Sequence, residues 1–144
     1  MNVRGGPGTT FPVIASAKKG QSFDVQGKTR DGAWLQLDWA QPQKVGRVQL
    51  TFDTGLHREL TLSASAGVSQ RIVRAPQPET VRDYTLSYLP AAGGDWRELV
   101  SVQGNHQRLV RHAFTRVEAR ALRLHISATN GDAIARVYEI RAYA

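Results

Sequence analysis

The sequence predicts an all-β protein, an antiparallel sandwich of two sheets and about eight strands. Three observations carry this. Apolar residues alternate with polar ones in short runs. Gly, Pro, Asn and Asp cluster between the runs. No stretch has the periodicity of an amphipathic helix.

Each element follows from local chemistry. Gly5, Gly6, Pro7 and Gly8 form a loop, since no strand tolerates that cluster. Residues 11–17 form a strand with Pro12 at its start or at an edge, residues 18–21 a turn, 22–26 a second strand and 27–32 a second turn. Residues 34–39 alternate and end at Pro42. Residues 45–53 form the next strand, with Val48, Leu50 and Phe52 inward and Arg47, Gln49 and Thr51 outward. Asp53-Thr54-Gly55 is a turn. Short strands at 59–63 and 70–74 flank a loop of small residues, and 75–79 is a rigid Pro-rich connector. Residues 82–89 place Tyr84, Leu86 and Tyr88 on one face, and 90–95 is a flexible loop.

The last third reads as a meander. Residues 96–103 lead to Gly104-Asn105, a two-residue hairpin signal. Residues 107–114 break around 115–119. Residues 121–127 alternate, with Leu122, Leu124 and Ile126 opposite Arg123 and His125. Thr129-Asn130-Gly131-Asp132 is the last turn, and 134–143 closes the chain.

Composition excludes several classes. At 144 residues the chain has room for one domain, or one with a small extension. Hydrophobic residues make up 41%, enough for a core, and no run approaches a membrane span. The chain has no cysteine, hence no disulfide framework and no thiol chemistry. Its opening residues carry no apolar signal-peptide core. Net charge is +7, and fifteen of the nineteen basic residues are Arg. These are spaced as the solvent-facing halves of strands rather than in a dense run. Specific nucleic-acid binding is therefore not expected, while weak, salt-sensitive attraction to acidic polysaccharide, anionic cell wall or nucleic acid is.

Two resemblances sharpen this reading. The run ATNGDAIARVYEIRAY, preceded by LRLHI, and the stretch WLQLDWAQPQKVGRVQLTFDT resemble the end and the middle strands of a discoidin domain. That is the coagulation-factor type C, galactose-binding-like family. The resemblance spans about 34–143 and implies a jelly-roll sandwich with an extracellular or periplasmic setting. Residues 2–37, from Asn2-Val3-Arg4 through Lys19-Gly20 to Leu37, resemble the opening of a bacterial Src-homology-three-like domain. The match stops before that family's closing strands. The chain is thus expected to hold a front segment, 1–33, that packs on or completes a discoidin-like sandwich of 34–144. A natural or engineered chimera would account for the joint, and self-association through the front segment is a further expectation.

Successive hairpins put alternate loops at opposite ends of a sandwich. The 104–106 and 129–132 loops then share an end with the 76–80 connector, and the 90–95 and 115–119 loops share the other. In discoidin domains the loops away from the termini bind ligand. The resemblance therefore implies a glycan site built from Asn105, His106, Asn130 and Asp132 with Gln77 and Glu79, and His57 and Arg58 as further candidates. Amides, carboxylates, imidazole and guanidinium suit paired hydroxyls. The same Asn residues are also ordinary formers of exposed turns. Glu139 matches the position from which related domains give a carboxylate to a structural calcium. The oxygen-rich partner segment that calcium needs is missing from the front, so no cofactor is expected, with a structural calcium at Glu139 as the alternative.

Catalysis has little support. His57, His106, His112 and His125 form no metal-hydrolase spacing, and no Ser sits in a nucleophile elbow. The expectation is a non-catalytic carbohydrate-binding module whose partner is a glycan or cell-surface polysaccharide. The alternatives are a chimeric β-domain without an evolved ligand and a cell-wall (peptidoglycan) attachment module.

Overall fold

The computed structural model describes residues 34–56 and 64–144, together with the backbone of Ala33 and of two front strands. In chain order the described elements are β1 (Asn2–Arg4), β2 (Val13–Ser16), β3 (Ala33–Phe52), α1 (Ala66–Arg71), β4 (Val81–Pro90), β5 (Arg97–Val102), β6 (Leu109–Thr129) and β7 (Val137–Tyr143). Every strand pairing is antiparallel.

β3 and β6 are the frame. They pair twice, 33–38 against 121–126 and 43–51 against 109–119, with the ladder interrupted between Asp38 and Gln43. The first pair of arms continues through β4 to β5 on one side and through β1 to β2 on the other. The second pair adds β7 beside β3. Two sheets therefore share the same two strands. They face each other across one core, where the Phe52 and Tyr84 rings meet at 5.3 Å between centroids. The fold is an all-β, antiparallel jelly-roll sandwich.

Period-two alternation places the core. Val48, Leu50 and Phe52 on β3 and Leu122, Leu124 and Ile126 on β6 are buried, with Tyr84 and Leu86 of β4 beside them. Each such side chain contributes roughly 1.5–3 kcal/mol on burial. This is the inward set expected from the sequence.

Four expectations need correction. The strand ends expected at Pro42 and at 115–119 are bends inside β3 and β6. Residues 39–42 have no β6 partner in the ladder, so Pro42 forfeits no ladder bond there. The last third is not a meander: β4 lies between β5 and β6, and β7 pairs β3 rather than β6. Gly104-Asn105 is thus a crossover and not a hairpin tip. Residues 66–71 are helical where a loop and then a strand were expected. None of that helix is buried, so no apolar period was needed to specify it. Finally, β7 begins at Val137, three residues later than expected. The strands expected at 22–26 and 59–63 lie largely or wholly outside the described residues.

β1 pairs β2 and meets the β3 edge at Asn2↔Asp38.

Candidate functional site

The topology brings the expected connections together. The Asn105 N–H donates to Arg82 O at 2.8 Å, the Asn130 N–H to Thr80 O at 3.0 Å and the Asp132 N–H to Pro78 O at 2.9 Å. The entry to β4, the β5–β6 crossover and the β6–β7 connection are thereby one backbone network. The turn after β3 joins it, since the Thr80 hydroxyl donates to Asp53 O at 2.9 Å. At the opposite end the Ala91 N–H donates to Glu118 O, and a Cβ built on Gly46 would lie 3.7 Å from the backbone of Ala144.

Asn105 and Asn130 hold this end together from inside. Asn105 is only 8% exposed. Its Nδ2 donates to Val81 O at 2.6 Å and to Gln107 O at 3.2 Å, and its Oδ1 accepts from the Gln107 N–H at 3.1 Å. Asn130 Nδ2 donates to Thr80 O and to Asn105 O, each at 3.0 Å. The exposed-turn expectation for Asn105 is therefore corrected: its neighbours in the crossover are exposed, but Asn105 turns inward and its amide satisfies the carbonyl of buried Val81. Gln77 similarly ties its own connector, donating to Val73 O and Ala75 O. Gly131 turns the last loop at φ +151° with Pro78 Cβ just 3.4 Å from where a side chain would begin.

The charged members form a second layer. The Asp132 carboxylate accepts from the Ile134 N–H at 3.0 Å and from Arg136 Nη1 at 3.0 Å. Arg136 also lies 3.6 Å from Asp53 Oδ2. Burial alone would raise the Asp53 carboxyl. Hydrogen bonds from Tyr138 and the Gly55 and Thr54 amides, with the Arg136 charge, hold it below the usual 3.8. The Ile134 amide, with Arg136, lowers Asp132 likewise. The Arg108 guanidinium sits 5.4 Å from the Tyr138 ring centroid. Glu79 is buried, its charge felt by Arg136. His106 is exposed at the tip. His57 and Arg58, which follow this end's turn, lie outside the described residues.

Arg136, Tyr138, Arg108 and Asp53 were not on the expected site. Asp132 and Arg136 are four apart and readable as a pair. The link from Asp53 to Tyr138 depends on β3 pairing β7, which no local pattern announces.

The Glu139 carboxylate is 2.6 Å from Arg141 Nε. Among the described residues no group of three or more His, Cys, Asp or Glu could hold a metal ion. Two of the three tryptophans share one arginine. The Arg123 guanidinium lies 3.9 Å from the Trp96 ring centroid and 6.0 Å from that of Trp34, and donates to Gln36.

This architecture is an antiparallel jelly-roll β-sandwich, and solved structures share it. A family 32 carbohydrate-binding module of EndoD from Streptococcus pneumoniae superposes with a TM-score of 0.56 at 19% identity, over 81% of this chain and 72% of that one. A family 32 module from Clostridium perfringens, in complex with GalNAc-β-1,3-galactose, gives 0.54 at 12%, over 78% and 66%. A chitosan-binding module from a Paenibacillus sp. IK-5 chitosanase/glucanase, in complex with chitotriose, gives 0.54 at 11%, over 84% and 74%. No protein-family model and no curated protein sequence matches the chain. None of the comparisons supports the front segment's resemblance to a Src-homology-three-like domain.

Proposed function

We propose that this chain is a non-catalytic carbohydrate-binding module that takes glycan on the loop end away from Ala144. The observation that carries the reading is the convergence of three connections at one end of a sandwich whose solved likenesses are carbohydrate-binding modules, two with an oligosaccharide bound. Asn105 and Asn130 hold the loops, while His106, Asp132 and Arg136 offer the imidazole, carboxylate and guanidinium that bind sugar hydroxyls. Among the described residues no helix is long and apolar enough to cross a membrane. We also read residues 1–33 as part of the sandwich, supported by the β1–β3 pairing.

A glycan array followed by titration of GalNAc-β-1,3-galactose and chitotriose tests the site. His106→Ala and Asp132→Asn should each weaken whatever glycan is found, the first with the melting temperature unchanged. No glycan retained above background, or retention indifferent to both substitutions, would sink the loop-end assignment. The bound glycan should not be turned over.

A further inference from the structure

The outer face of the three-stranded sheet β6-β3-β7 is open and basic. Its side chains form three rows across the strands. Ala113, Arg47 and Tyr143 make the first, Arg111, Gln49 and Arg141 the second, and Leu109, Thr51 and Glu139 the third. Arg47, Arg111 and Arg141 are all exposed. Three guanidinium groups stand against one carboxylate, a net of +2 on nine positions. From strand spacing and rise, the three Arg Cα atoms form a triangle of roughly 8–10 Å sides.

The arginines are held rather than loose. Arg47 lies over the Tyr143 ring, its guanidinium carbon 4.4 Å from the centroid. A cation held over an aromatic face keeps its N–H donors for oxyanions. Arg111 Nε donates to Gln49 at 2.9 Å, and Arg141 Nε is braced by Glu139 at 2.6 Å. Each bond engages the Nε side of the fork.

We propose that this face is a second binding surface, separate from the loop end, for a polyanionic glycan with repeating carboxylate or sulfate groups. Such a chain is extended, places anions at regular intervals and needs no pocket, which matches an open sheet of spaced forks. Nucleic acid fits less well. The one aromatic ring in these rows lies beneath Arg47, so bases find no stacking platform there.

The test uses the full chain with soluble polygalacturonate for carboxylate, immobilised heparin for sulfate, and a duplex DNA competitor. Arg47→Gln, Arg111→Gln and Arg141→Gln together should weaken the preferred polyanion at least about tenfold and flatten the salt dependence of binding. His106→Ala should leave both unchanged, which separates this surface from the loop end. Wild-type affinity in the triple variant would overturn the proposal. So would displacement of both polysaccharides by DNA at equal charge concentration. If the triple variant does not fold, the exposed single substitution Arg111→Glu reads the same loss, and unchanged affinity there is equally fatal.

Discussion

Asn105 and His106 are chain neighbours with opposite roles. The first has its amide buried among Val81, Gln107 and Asn130, and the second faces water. Asn105→Ala should cost about 1–3 kcal/mol, because it strips partners from buried carbonyls. His106→Ala should stay within about 0.5 kcal/mol. Thermal melts of the two single variants check this. A second residue-scale consequence sits across the core. The Tyr84 hydroxyl is 2.8 Å from His112 Nε2, and burial pushes Tyr84 up to about 12 and His112 below its ordinary 6.5. The unfolded chain then takes up a proton near pH 6.5 that the folded chain resists. Stability is full above that pH and falls as pH drops from 6.5 toward the folded value. The lowered carboxyls of Asp53 and Asp132 act in a separate window, below their ordinary 3.8. Melting temperature should therefore decline between pH 7.5 and 5 in the parent and decline less in His112→Gln, a window set by the 6.5 value.

Elements obey simpler rules than their connections do. Strand faces were legible because period two is written locally, as in Val48, Leu50 and Phe52, or Leu122, Leu124 and Ile126. The ends of β3 and β6 were not, because Pro42 and the 115–119 stretch carry turn chemistry that the fold uses for bends. The site was half legible. Loop convergence followed from counting connections, but the inward aim of Asn105 depends on β4 lying between β5 and β6, which is a tertiary fact. Helix α1 left no trace because it buries nothing. The bend supplies its own test. Pro42→Ala should change the melting temperature little, since no ladder bond depends on that position. Gln49→Pro, in a strand paired on both sides, should cost about 3 kcal/mol or more and lose the cooperative transition.

At the scale of the whole molecule β1 meets the β3 edge at Asn2↔Asp38. An uncovered edge of that kind invites pairing between chains. Deleting residues 1–33 should leave a remainder that aggregates or melts without cooperativity, as sedimentation and calorimetry would report. A monomeric, cooperative 34–144 would instead make the front a dispensable appendage. The shared strands also set how the protein comes apart. Because β3 and β6 each run through both sheets, neither sheet can open while the other keeps its frame. Ala33 must find Ile126 and Thr51 must find Leu109, closures on the order of 60 to 90 residues. Such pairing places the chain among slow folders, in the millisecond-to-second range. It also makes the slowest amide protons a single population. Hydrogen exchange at Leu50 and at Leu124, in different sheets, should report the same opening free energy, and a gap of more than about 1 kcal/mol between them would mean that the sheets open independently.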